Sequence, residues 1–204
     1  MIVMGITAAD VIGPILTDEE IQECISVAQI LLKSVQDRGD LHSRSTLERF
    51  IDIVMGEIAE QSVIKWIRSQ GKFANSDVDK ESGRPDKGHD IILHSKNGYN
   101  IKCSVKSSLS VYRNQVENIL EEFNLSSKRS EVQGINIQVY FWLDLNSTPR
   151  ITIPSNNNMA IIGWLGRKEL NGISEEIYST EARSVINVKL KNMRSMRSLL
   201  DILQ

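Results

Sequence analysis

The chain has 204 residues, a formal net charge of −2, 41% hydrophobic residues and 25% charged residues, which are ordinary values for a globular protein of one domain. The small net charge excludes a global positive field that would draw nucleic acid, so any such role must depend on local basic patches. The two cysteines, Cys24 and Cys103, are too few for a disulfide framework and too isolated for a zinc site. No apolar run reaches the roughly 18 residues that span a bilayer, and the N-terminus lacks the basic region of a signal peptide. We therefore expect a cytoplasmic protein with reduced thiols and no membrane partner.

The first predicted helix begins at the sequence TDEE. Thr17 can act as the N-cap and Glu20, three residues later, can complete a capping box. Apolar residues then recur at helical spacing from Ile21 to Val35. The helix offers either a dimer surface or a part of the core.

A second helix is predicted from Ser45 or Thr46 to about Gln70, where Gly71 supplies a C-terminal stop. Glu57 lies within its apolar stripe. A carboxylate at such a position either reaches the edge of the stripe or is held in a polar site.

The middle of the chain predicts a long loop followed by a hairpin. Residues 72–89 contain few apolar side chains and are predicted to form one loop, which is a length typical of functional or mobile segments. The sequence DIILHSKNGYNIKCSVKSS then predicts two strands joined by a two-residue turn at Asn97-Gly98. That turn would place Asp90 opposite position 105. Asp90 and Lys106 would then share a site only through a bulge or a register change of one residue.

After the hairpin, the sequence YRNQVENILEEF predicts a third helix. The apolar run INIQVYFWLDL predicts a strand that is buried on both faces. RITIP and MAIIGWL predict shorter strands, and LKNMRSMRSLLDILQ predicts a closing helix.

This order of elements predicts an α/β fold with a mixed central sheet. We expect a single domain over 1–204, with its core at about 45–145. A helical segment would precede the core at 1–40, and a basic segment would follow at 183–204.

The hairpin resembles the active-site hairpin of the PD-(D/E)XK nucleases, the fold of restriction endonucleases and of many repair and resolvase enzymes. In that family an acid opens one strand and the motif (D/E)-X-K lies on its partner. Here Asp90 takes the first place and Lys106 the last, and Glu57 corresponds to a helix-borne ligand. The resemblance spans about 45–145 and implies a restriction-endonuclease-like fold, a mixed central sheet flanked by helices. It also implies a Mg²⁺-dependent endonuclease that acts on double-stranded DNA as a homodimer.

The departure from the family pattern is Ser104, which stands where the family has its central acid. One branch of restriction enzymes has a similar SVK motif, and a glutamate of the following helix replaces the missing carboxylate. Glu117 and Glu121 are the candidates for that role here. Alternatively Glu57 completes the site, or the protein binds without cutting.

The resemblance implies catalytic roles for Asp90, Ser104, Lys106 and Glu57. The Mg²⁺ ligands would come from Asp90 together with Glu57, Glu117 or Glu121. The residues expected to contact DNA are Arg84, Lys87, Ser107, Ser108, Lys189, Lys191 and Arg194. The implied function is that of a type II restriction endonuclease. The alternatives are a structure-specific resolvase or repair nuclease, and a non-catalytic module that binds DNA or a protein partner.

Overall fold

A computed structural model describes residues 5–34, 44–78, 80, 89–128, 134–143, 158–173, 175–179 and 183–204. Its α-helices are α1 (Asp18–Ser34), α2 (Thr46–Ser69), α3 (Val116–Glu122), α4 (Arg167–Ile173) and α5 (Met196–Leu199). Its strands are β1 (Ala74–Ser76), β2 (Ile91–His94), β3 (Asn100–Ser110), β4 (Asn124–Lys128), β5 (Ile135–Trp142), β6 (Met159–Leu165), β7 (Glu175–Ser179) and β8 (Arg183–Lys189). Among these residues no helix combines the length and the apolar character needed to cross a membrane.

The central sheet has the strand order β1-β2-β3-β5-β6. The first three strands are antiparallel neighbours, β3 and β5 run parallel, and β5 and β6 are antiparallel. A second sheet has the order β4-β8-β7. The prediction of an α/β fold with a mixed central sheet is therefore confirmed.

Each face of the central sheet packs against a separate hydrophobic core. One core is formed by α1, α2 and side chains of the sheet that include Cys103, Ile137 and Phe141. The other is formed by α3, the second sheet and side chains that include Tyr140 and Leu165. Because side chains alternate along a strand, consecutive residues of β5 supply opposite cores. This explains why the strand is buried along nearly its whole length, as its sequence predicts.

The helix starts follow the sequence closely. In α1 the backbone N–H of Thr17 donates to Glu20 at 2.7 Å, and in α2 the N–H of Ser45 donates to Glu48 at 2.6 Å. Both are capping boxes, which satisfy donors that a helix start leaves unpaired. The apolar face of α1, with Cys24 and the residues at helical spacing after it, lies in the core against α2.

Two expectations need correction. The predicted loop over 72–89 contains the strand β1, whose short sequence gains its hydrogen bonds from β2 and carries no periodic signal of its own. The predicted closing helix is a 3₁₀ turn at Leu190–Asn192 followed by the short helix α5. Between them Arg194 exchanges backbone hydrogen bonds with Trp164 of β6, so tertiary pairing overrides helix propensity.

The second sheet was not predicted, and the predicted strand RITIP lies outside the described residues.

Candidate active site at the β2–β3 hairpin

The hairpin turn is one residue longer than predicted. Ser95 donates its N–H to Tyr99 O at 2.9 Å, and Gly98 donates its N–H to Ser95 O at 2.9 Å. Gly98 has a φ of 79°. This is a three-residue loop, a turn closed by a glycine in the left-handed region. The longer loop pairs Ile91 with Cys103, a register one residue away from the expected one.

A bulge lies at the start of β2. Ile91 is the register partner of Cys103, yet the N–H of Asp90 also donates to Cys103 O at 3.0 Å. Two successive residues of β2 therefore oppose one residue of β3. The Asp90 carboxylate accepts the N–H of Val105 through Oδ2 at 2.6 Å. The acid is thus fixed beside the residue that separates Ser104 from Lys106.

Ser104 and Lys106 lie on the face of β3 that points away from α2. Cys103 and Val105 contribute to the core that α2 covers, and side chains alternate along the strand. Ser104 is only 4% exposed and pairs in register with Asn136 of β5. Lys106 is partly buried and pairs in register with Gln138 of β5.

The thiol of Cys103 reports on both charges. Burial raises its pKa well above the usual value, the Asp90 carboxylate raises it further, and the Lys106 ammonium lowers it. A single side chain therefore experiences the fields of the acid and of the base. The convergence of Asp90 and Lys106 on one site stays a prediction.

Glu57 lies in a different environment, on the buried side of α2. Its Oε2 is 2.5 Å from Nζ of Lys80, and the same ammonium lies 3.1 Å from Oε1 of Glu60. Burial raises the pKa of Glu60. Burial alone would lower the pKa of Lys80, but the carboxylates of Glu60 and Glu57 outweigh it and raise that pKa. The assignment of Glu57 as a metal ligand stays a prediction, and in this structure its charge is balanced by Lys80.

A cavity of about 640 Å³ opens beside this ion triad, between α1, α2 and the residues that follow β1. Its lining is largely apolar and includes Cys24, whose pKa is raised to about 11 by burial and then by Glu57. The cavity lies on the α2 side of the central sheet. It is therefore separate from the face that carries Ser104 and Lys106.

The glutamates of α3 have mixed surroundings. The helix is anchored in the second core by Ile119 and Leu120. Glu121 forms an ion pair with Lys191 at 2.6 Å, and Glu117 is exposed. Their assignment as replacements for the missing acid stays a prediction.

The residues expected to contact DNA are largely engaged within the chain. Lys189 Nζ donates to the carbonyl of Glu122 at 3.1 Å, and Ser108 Oγ accepts from Gln138 at 3.2 Å. Arg194 pairs with a carboxylate of α4 at 3.1 Å and lies over the Trp164 ring, 4.4 Å from its centroid. Ser107 is a partly buried residue of β3, and Arg84 and Lys87 lie outside the described residues.

Sequence reasoning missed an acid beside Asp90. Asp77 follows β1 and donates its backbone N–H to Asp90 O at 2.9 Å. Its Oδ2 is 2.8 Å from Nε2 of His89, which is 5% exposed. The only sequence signal was a carboxylate in a segment predicted to be a loop, and nothing in that pattern placed it next to Asp90.

The donor chemistry at this end of the hairpin is suited to Mg²⁺. Within the described ranges, no group of three or more His, Cys, Asp or Glu side chains is arranged to hold a metal ion. Mg²⁺, however, is commonly bound through one or two carboxylates, with water and substrate phosphate filling its other positions. Asp90 and the neighbouring Asp77 provide that number of carboxylates.

Comparison of the chain with protein-family models, with curated proteins and with solved structures finds no match in any of the three. The similarity to PD-(D/E)XK nucleases therefore depends on the hairpin motif and the order of elements around it.

Proposed function

We propose that this protein is a Mg²⁺-dependent endonuclease that hydrolyses phosphodiester bonds in double-stranded DNA, with a restriction-endonuclease-like core. The observation that carries the proposal is the position of the Asp90 carboxylate, bonded to the N–H of Val105. This contact supports the proposal because it holds an acid beside the residue that precedes Lys106 on the adjacent strand. The succession of α2, the β2–β3 hairpin, α3 and β5 is the order in which the family arranges these parts.

In this mechanism Asp90 would hold the ion, and Lys106 would orient the attacking water and contact the phosphate. When bound, Mg²⁺ lowers the pKa of a coordinated water and neutralises charge that builds on the phosphate. The water oxygen forms a bond to phosphorus as the bond to the leaving sugar oxygen breaks, and the water proton passes to that leaving oxygen. The buried Ser104 hydroxyl cannot replace a carboxylate charge.

Plasmid cleavage tests the proposal. Wild-type protein with Mg²⁺ should convert supercoiled plasmid to nicked and linear forms, and Asp90→Asn and Lys106→Ala should each abolish cutting. Lys102→Ala is the matched control, because Lys102 is an exposed lysine that lies on the same face of β3 as Lys106. The proposal fails if the wild type cuts no DNA, or if Lys106→Ala cuts as fast as Lys102→Ala.

The pattern of products separates the two nuclease classes. Fixed fragments from linear DNA identify a restriction endonuclease, whereas cutting confined to branched DNA identifies a resolvase or repair nuclease. A restriction enzyme that cuts both strands is expected to act as a homodimer, and sedimentation analysis with and without DNA measures this directly.

A non-catalytic DNA-binding module is the second candidate. The observation that favours it is Ser104, a buried hydroxyl beside Asn136 at the place of the family's central acid. A protein of this kind would retard DNA in a gel in a salt-sensitive manner. It would leave the DNA intact under every metal condition.

A further inference from the structure

We infer that Asp77 supplies the second carboxylate of the metal site, from the strand on the other side of β2. This inference rests on the proposed nuclease function. The family's acid at position 104 would come from β3, and here that position is a serine. Asp77 directly follows β1, and β2 lies between β1 and β3 in the sheet. The Asp77 carboxylate would therefore approach the same ion from the side of Asp90 that is opposite to β3.

The register of β1 and β2 brings the two acids together. Ser76 pairs with Ile91, so the next pair along the ladder is Asp77 with Asp90. The 2.9 Å hydrogen bond from Asp77 N–H to Asp90 O shows that this pairing continues past the end of β1. Directly opposed residues of antiparallel strands have Cβ atoms about 4.5–5.5 Å apart. Two carboxylates at that spacing can each present an oxygen to one ion.

His89 contacts the Asp77 carboxylate in the way that neighbouring residues hydrogen-bond to metal ligands and orient them. Its ring is buried, and Nε2 lies 2.8 Å from one oxygen, Oδ2, of Asp77. A hydrogen bond to one carboxylate oxygen fixes the orientation of the group, as is usual for metal-binding carboxylates. The Asp77 side chain is 29% exposed, so an ion can reach it from solvent.

Two of the other candidate acids, Glu57 and Glu121, form ion pairs with lysines. Glu57 lies 2.5 Å from the ammonium of Lys80 on the α2 side of the sheet. Glu121 lies 2.6 Å from the ammonium of Lys191. Recruiting either one would require breaking an ion pair, whereas Asp77 already adjoins Asp90 through the backbone.

Mn²⁺ binding to the full chain, measured by electron paramagnetic resonance without DNA, tests the inference apart from activity. Asp77→Asn and Asp90→Asn should each weaken Mn²⁺ binding by about tenfold or more. His89→Gln should weaken it less, because it removes only the orientation of the ligand. Glu117→Gln and Glu121→Gln test the alternative ligands of α3, and Asp201→Asn, at an exposed acid near the C-terminus, is the matched control that should leave binding unchanged. Equal urea midpoints would show that each variant is folded.

The outcomes separate this inference from the proposed function. If Asp90→Asn loses Mn²⁺ while Asp77→Asn binds it as the wild type does, the assignment of Asp77 is wrong and the nuclease proposal stands. If Glu121→Gln is the variant that loses the ion, the second acid comes from α3. If the wild type binds no Mn²⁺, both the assignment and the metal-dependent function are overturned.

Discussion

The carboxylate of Asp90 takes the place of a main-chain acceptor for Val105, at an Oδ2–N distance of 2.6 Å. At the bulge the regular ladder between β2 and β3 ends, and the acid continues it with a side-chain oxygen. The same hydrogen bond therefore ends the ladder between β2 and β3 and fixes the position of the Asp90 carboxylate. In the proposed function, the structure of the hairpin and the chemistry of the site both depend on the Asp90 carboxylate.

Removing this carboxylate should cost stability as well as activity. Asp90→Ala should lower the free energy of unfolding by about 1.5–3 kcal/mol, the value of a hydrogen bond to a charged group. Asp90→Asn should lose less, since its amide oxygen can still accept from Val105. Urea denaturation of both variants measures the difference. Asp201→Ala, at an exposed acid near the C-terminus, should change stability by about 0.5 kcal/mol at most. Equal losses in Ala and Asn would contradict the role of the acceptor.

The buried ion triad predicts a large effect at Lys80. Lys80→Met leaves the carboxylates of Glu57 and Glu60 without their cation, which should lower the free energy of unfolding by about 3–5 kcal/mol. Lys65→Met is the control, because Lys65 forms a pair with Glu20 at 2.6 Å whose side chains are 34% and 36% exposed. Such a pair is worth about 0–1 kcal/mol. Similar midpoints for the two variants in urea would show that Lys80 is not holding buried charge.

The same triad predicts how stability changes with pH. Because burial raises the folded-state pKa of Glu60 above its ordinary value of 4.5, the folded protein binds this proton more tightly than the unfolded chain does. Its contribution to stability is fully present below pH 4.5 and is lost as the pH rises through the raised pKa. Glu60→Gln should remove this decline. The free energies of unfolding of the wild type and of Glu60→Gln should be measured from pH 4 upward. The two curves should converge or cross as the pH rises through the raised pKa of Glu60, and parallel curves would contradict the raised pKa.

Two glycines should respond to alanine with opposite signs. Gly98 has a φ of 79°, a conformation in which an L-residue costs about 1–2 kcal/mol. Gly98→Ala should therefore destabilise the hairpin. Gly56 is in the middle of α2, and an added Cβ there meets nothing within 4 Å. Gly56→Ala should stabilise the protein by about 0.5–1 kcal/mol through helix propensity. Thermal melts of both variants measure the two signs, and a Gly98→Ala protein that melts at or above the wild-type temperature would refute the turn assignment.

Local signals predicted the parts of the fold that local chemistry determines. The two capping boxes at Thr17 and Ser45 are contacts between residues three apart, so the sequence alone locates the helix starts. The buried strand β5 was readable because both of its faces are covered. By contrast, β1 has three residues and acquires its structure from hydrogen bonds to a strand that lies about 15 residues later.

The candidate site was predictable in its residue types and unpredictable in its geometry. Asp90 and Lys106 were identified from the hairpin motif, but the turn at Asn97-Gly98 gave the wrong register. A loop longer by one residue looks almost the same in sequence and changes which residues face each other. Asp77 was missed for a related reason, since its position beside Asp90 exists only once β1 pairs with β2.

The bulge at Asp90 has a consequence for how variation at this position should be interpreted. A library of variants selected for folding alone would retain Asp or Asn there, because only a side chain with a short acceptor can cap the Val105 amide. Retention of either Asp or Asn at position 90 therefore measures architecture, and it is a preference for Asp over Asn, together with retention of a cation at position 106, that would record selection for chemistry.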